Sequence, residues 1–283
     1  MLRRCLGVLE DPRFQVRLRQ LGRASDLVWF AALATGISFT LIGAFFFVYP
    51  ESPSGKFWAY AGLFVRASLY LWSKEALHDR GGETIFRLFA LGLVTGTWEL
   101  LIDWALIHWV TNGRLVYLSG NDVVLLGSPV WMPLAWACVI VELGYPAVRL
   151  FGLLQGKSPG QPLSPGRSPL GRGEGKTIAS AILVSLAVGI GAGITVGFYE
   201  YFAYKAGWWK YEPAHAMIGD FCALYIPLGE FFMFLAILPI AARAIRNDER
   251  PLSAAITAGG LFAAAIVAGY ALAYLLLELG RAV

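Results

Sequence analysis

Residues 177–206 read TIASAILVSLAVGIGAGITVGFYEYFAYKA, and no charged side chain interrupts them before Glu200. A helix needs about 20 apolar residues to cross the hydrocarbon core of a bilayer, so this stretch alone argues against a soluble fold. Comparable runs cover 27–49, 57–72, 86–110, 129–154, 223–245 and 252–279, the second being short and carrying Arg66. The expected fold is an all-α polytopic membrane bundle of about seven transmembrane helices. Composition agrees: of 283 residues, 57% are hydrophobic and 15% charged, with mean hydropathy +0.60, outside the range of ordinary soluble domains.

The net charge of +4 does not point to nucleic acid, because Lys and Arg sit in short clusters between apolar runs. Arg3, Arg4, Arg13, Arg17, Arg19 and Arg23 precede the first run. Lys74 and Arg80 precede the third; Arg149, Lys157, Arg167, Arg172 and Lys176 follow the fourth; Arg243, Arg246 and Arg250 follow the sixth. If every run spans, these clusters share one side, which places the N-terminus in the cytoplasm and the C-terminus outside. A bacterial inner (plasma) membrane is the expected location. The basic N-terminal stretch, broken by Glu10, Asp11 and Pro12, does not read as a removable signal peptide.

Residues 155–176 are rich in Gly, Pro, Ser and Arg, which cannot bury apolar area, and read as a flexible cytoplasmic linker. The expected organisation is a basic segment 1–26, a first transmembrane half 27–154, the linker 155–176 and a second half 177–283. A weak internal repeat straddles the linker: Gly96-Thr97-Trp98-Glu99 matches Gly197-Phe198-Tyr199-Glu200. Downstream, Met132-Pro133-Leu134-Ala135-Trp136 matches Ile226-Pro227-Leu228-Gly229-Glu230. Both copies have the same expected orientation, so the repeat is parallel, and its interface is the natural place for a site.

Glu99 and Asp103 are four residues apart and share a helix face, while Glu142, Glu200 and Glu230 lie in other spans. Ionisable groups in lipid cost several kcal/mol and should face the bundle interior with partners, Arg66 being the obvious cation. Glu142 and Asp103 fit structural roles best; Glu99, Glu200 and Glu230, each in a repeated motif, are the candidate reactive groups. A carboxyl shielded from water holds its proton more readily than one in solvent, which suits an acid catalyst. Most of the aromatics crowding the outer ends read as interfacial belt residues. Those beside the acidic motifs, Trp98, Trp136, Tyr199, Trp209 and Tyr211, together with Asp103, are candidate substrate-binding groups whose ring faces can stabilise a cation. Three unpaired cysteines, Cys5, Cys138 and Cys222, and three scattered histidines, His78, His108 and His215, imply neither a disulfide nor a metal site.

The stretch Gly207-Trp208-Trp209-Lys210-Tyr211-Glu212-Pro213, followed by Ile226-Pro227-Leu228-Gly229-Glu230-Phe231-Phe232, resembles the membrane carotenoid and terpenoid cyclase superfamily, that is, the heterodimeric-type lycopene cyclase domain. The segment Pro133-Leu134-Ala135-Trp136 and the later Tyr145-Pro146-Ala147 are similar to segments of the related carotenoid hydratases. The resemblance covers about half of the chain, from Gly96 to Ala242, and its motifs are short. Two positions depart from it: Gly229 stands where the cyclases have the first glutamate of a pair, and Trp136 where a glutamate could stand. The resemblance implies cofactor-free chemistry, in which Glu230 or Glu200 protonates an isoprenoid double bond and Glu99 acts as base or positions a water. The implied partners are a hydrophobic isoprenoid and the lipid bilayer; a homo-oligomer stays open. Two other classes stand beside this expectation: a carrier or proton-coupled transporter for a hydrophobic molecule, and a structural or assembly subunit.

Overall fold

In the computed structural model, which describes residues 7–46, 55–77, 81–118, 123–156, 173–246 and 251–279, the chain is mainly helical. A short α1 (Pro12–Gln20) opens it, with Pro12 in the first turn and Asp11 accepting from the Arg13 N–H at 2.9 Å. The long helices are α2 (Arg23–Phe46), α3 (Gly55–Ala76), α4 (Glu83–His108), α5 (Met132–Leu154) and α6 (Gly173–Lys205). There follow α7 (Tyr225–Phe234), α8 (Ile237–Arg246) and α9 (Pro251–Tyr274), the last continued by a π-helical turn over Leu275–Leu279.

Among the described residues five helices are long and apolar enough to cross a membrane, and six if α7 and α8, bent by 47°, form one broken span. The bend has a local cause: Pro239 has no N–H to return to Leu235, and its ring crowds that carbonyl, so the helix breaks at Leu235–Ala236. The run expected at 57–72 is the 22-residue α3, less apolar than the others because Arg66 and Lys74 sit among its tyrosines and tryptophans. Most of the expected linker lies outside the described residues, as do Arg3, Arg4, Cys5, His78, Arg80, Lys157, Arg167, Arg172 and Arg250. Helix α6 already begins at Gly173, within the span assigned to that linker.

The loops depart from an all-α reading. Between α4 and α5 lie β1 (Leu115–Tyr117), β2 (Val124–Leu125) and β3 (Ser128–Pro129); between α6 and α7 lie β4 (Trp209–Tyr211), β5 (Met217–Ile218) and β6 (Cys222–Ala223). β2 pairs with β3 and β5 with β6, each antiparallel, while β1 pairs antiparallel with β4 across the two halves. Strands of two or three residues are too short for an alternating pattern to reveal them. The β1–β4 pairing holds the loops after α4 and α6 together, so the C-terminal ends of these two helices lie at the same end of the bundle.

Glycines set the closest helix contacts. A Cβ at Gly96 would lie 2.5 Å from Pro133 Cα, and one at Gly92 2.5 Å from Ala137 Cα, so α4 and α5 meet backbone to backbone. On α6, a Cβ at Gly193 would lie 2.9 Å from the Pro227 carbonyl oxygen and one at Gly189 2.9 Å from that of Phe231. Close approach through small residues is how helices gain packing energy where lipid removes the hydrophobic drive.

Candidate functional site

The β1–β4 ribbon walls one end of a cavity of about 310 Å³ lined by the helices. Its register pairs Leu115 with Tyr211 and Tyr117 with Trp209. Side chains alternate along a strand, so Trp209 and Tyr211 are buried while Lys210 between them is exposed. All four of these paired residues line the cavity. Behind them, Tyr117, Trp131, Tyr199, Trp208 and Trp209 pack ring against ring, with centroids 5.8 to 6.4 Å apart. Outside the bundle the ribbon continues through an exposed pair: Arg114 Nη2 donates to Glu212 Oε1 at 2.6 Å and holds that carboxyl below its usual range.

Five carboxylates from four helices line this one space: Glu99 and Asp103 from α4, Glu142 from α5, Glu200 from α6 and Glu230 from α7. Their partners differ. Asp103 Oδ2 accepts from the Tyr117 hydroxyl at 2.5 Å and from Ser128 Oγ at 2.8 Å. Glu200 Oε2 accepts from Trp209 Nε1 at 2.5 Å. Glu230 Oε1 accepts from the Tyr270 hydroxyl of α9 at 2.7 Å. Two oxygens, Glu99 Oε2 and Glu230 Oε2, are buried with no hydrogen-bond partner among the described residues.

Glu142 is paired with Arg66, which also lines the cavity: Arg66 Nη1 donates to its Oε1 at 2.6 Å. The guanidinium lies over Gly36 of α2, where even a methyl group would collide with Nη1. Pro146 sits inside α5 four residues after Glu142 and cannot donate to the Glu142 carbonyl. Trp29 supplies the missing donor, its Nε1 lying 3.1 Å from that oxygen, in the way freed backbone groups in membrane helices are satisfied by neighbours.

Of the residues singled out in the sequence, Glu99, Asp103, Trp136, Tyr199, Glu200, Trp209, Tyr211 and Glu230 all line the cavity. Trp98 does not: it is 49% exposed and faces a separate groove on the outside of the bundle, which corrects its expected place beside Glu99. Neighbouring residues on a helix point about 100° apart, so a motif that turns Glu99 inward turns Trp98 away. Tyr270, Trp29 and Tyr117 were not recognised as cavity residues from the sequence. The signal for Tyr270 is a hydroxyl in the middle of an otherwise apolar run, which needs a buried acceptor. Among the described residues no group of His, Cys, Asp and Glu is arranged to hold a metal ion.

A family model described as a domain of unknown function, DUF6989, matches residues 173–277. That stretch carries Glu200, Trp209, Tyr211, Glu230 and Tyr270 and leaves Glu99 and Asp103 in the unmatched part. No curated protein and no solved structure matches the chain.

Proposed function

We propose that this chain is an integral membrane enzyme that protonates a carbon–carbon double bond of an isoprenoid, after which the cation cyclises or captures water. The observation that carries the reading is the pair of unpartnered buried carboxyl oxygens, Glu99 Oε2 and Glu230 Oε2, on two different helices of one aromatic-walled cavity. In the forward step the Glu230 carboxylic acid gives its proton to one alkene carbon; the O–H bond breaks, a C–H bond forms and the neighbouring carbon becomes cationic. Trp136, Tyr199, Trp209 and Tyr211 offer ring faces to that charge. Glu99 then takes a proton, either from the carbon next to the cation, restoring a double bond, or from a water that has added to it. Neither outcome oxidises or reduces the substrate, so no cofactor is required. Tyr270 orients the Glu230 carboxyl and leaves its second oxygen free.

Topology belongs to the same proposal. Counting α3 and the bent α7–α8 pair as spans gives seven, with the N-terminus in the cytoplasm and the ribbon on the outer side of a bacterial plasma membrane. The two halves then form a parallel repeat of long helix, short strand, hairpin and second helix. The proposed repeat matches Gly96 with Gly193, a reading supported by each abutting the helix-starting proline that follows it, Pro133 or Pro227. In that register Asp103 matches Glu200, each seven residues beyond its glycine and each bonded by an aromatic residue of the ribbon.

The test is expression in a host that accumulates carotenoid or terpenoid precursors, with products separated by chromatography. Glu230→Gln and Glu99→Gln should each lower product about 100-fold or more, the usual contribution of a positioned acid or base, while folded protein persists in the membrane. Product formation unchanged in both variants would end the reading. A carrier would instead show flux that follows a proton gradient.

A further inference from the structure

We propose that the ligand enters this cavity sideways from the bilayer, through the groove between α4 and α9, as the uncharged hydrocarbon chain of a lipid. The inference rests on the enzymatic reading for the ligand's class but not for the path. The groove has a volume of about 720 Å³, and among the described residues no charged one lines it. Trp98 and Trp104 of α4, with Trp109 just beyond its end, form one side, and Gly260, Ala264 and Ala271 form its α9 side. A Cβ at Gly260 would meet nothing within 4 Å, so that side is open. An open apolar trough between a row of indoles and a row of small residues accepts a chain of methylenes and methyl groups, and offers nothing to a charged head.

Two side chains connect the groove to the acids. Leu106 and Tyr270 line both the groove and the carboxylate cavity. Tyr270 is the more informative of the two: it lines the trough while its hydroxyl bonds Glu230 Oε1 at 2.7 Å. A chain that pushes the ring aside therefore reaches Glu230 and at the same time removes its hydrogen-bond donor. The cavity's size argues for such a connection. At about 310 Å³ it lies at the lower end of the range for ligand sites, roughly 300 to 1,000 Å³, and holds the reacting end of a long isoprenoid but not its length. The groove takes the remainder. Trp98, misplaced by the sequence motif, has its contact with the ligand here.

The experiment uses the full chain in lipid nanodiscs and phytene carrying a diazirine, with crosslinked peptides identified by mass spectrometry. In the unaltered protein, label is expected on groove peptides of α4 and α9 and on cavity peptides of α5 and α6. Ala264→Trp and Ala271→Trp, two exposed positions on the trough, should each reduce cavity labelling about tenfold, equivalent to about 1.4 kcal/mol. Leu183→Trp, on an exposed face of α6, should leave it unchanged. Thermal unfolding of each variant identifies any that fails to fold, and two plugs at separate positions guard against the loss of one. Cavity labelling that survives both plugs, or groove labelling with none in the cavity, overturns the port. Labelling needs no chemistry: a cavity that fills through the groove in a protein that forms no product upholds the port and ends only the enzymatic reading.

Discussion

Tyr117 and Trp209 face each other across the β1–β4 pairing, and each bonds a carboxylate on the helix that precedes its own strand. The rings lie 6.1 Å apart at 72°; Tyr117 donates to Asp103 and Trp209 to Glu200. The two halves of the chain are thus joined at their ribbon by backbone pairing, and their acids are held by the side chains of the same two strands. This arrangement turns a pair of loops into the wall of the cavity, which explains why loop residues carry so much of the site.

Removing these donors should loosen that wall. Tyr117→Phe keeps the ring and deletes one of the two donors to Asp103; Trp209→Phe deletes the indole donor to Glu200. Each leaves a buried oxygen short of a hydrogen bond, a loss worth about 1 to 3 kcal/mol. Thermal unfolding in detergent should fall for both, and further for Trp209→Phe because ring volume is lost as well. A Tyr117→Phe protein as stable as the parent would show that the Asp103 contact carries no weight.

Arg66 and Glu142 make the opposite case, in which the pair matters less than its halves. Breaking a buried ion pair by removing one partner costs about 3 to 5 kcal/mol, whereas replacing both by apolar groups is often neutral. Arg66→Met should therefore strip folded protein from the membrane fraction, and Arg66→Met combined with Glu142→Leu should restore it. Fluorescence-detected size-exclusion chromatography reads both. A double variant no better than the single one would mean that Arg66 serves a group other than Glu142.

The long apolar runs and the acids inside them were legible because each is a local property: a span needs its length of apolar residues, and a carboxylate in one stands out by its cost. What the sequence hid was decided by rotation and packing. Trp98 shares a motif with Glu99 but points to the groove. Tyr270 looks like one more aromatic until α9 is docked against α7 and its hydroxyl meets Glu230. The five acids converge through helix packing, and the β1–β4 pairing that walls their cavity is carried by strands of three residues, whose local pattern does not announce that they meet. Gly229 also gains a reason in three dimensions: a Cβ there would run into the Tyr270 ring, so a side chain at 229 and Tyr270 in its present place exclude each other.

The register of the proposed repeat can be tested with four alanines. Matching Gly96-Thr97-Trp98-Glu99 to Gly197-Phe198-Tyr199-Glu200 makes Gly197 the counterpart of Gly96, whereas the helix contacts make Gly193 that counterpart. The two glycines differ sharply in surroundings: a Cβ at Gly193 would meet the Pro227 carbonyl oxygen at 2.9 Å, and one at Gly197 would meet nothing within 4 Å. A methyl group forced against backbone costs typically 1 to 3 kcal/mol, while Gly→Ala in an open helix position gains up to about 1 kcal/mol of propensity. Gly92→Ala, Gly96→Ala and Gly193→Ala should therefore lower the unfolding temperature in detergent, and Gly197→Ala should hold or raise it. If Gly197→Ala destabilises as Gly96→Ala does and Gly193→Ala is tolerated, the four-residue shift is wrong, and the proposed repeat pairs Glu200 with Glu99 rather than Asp103.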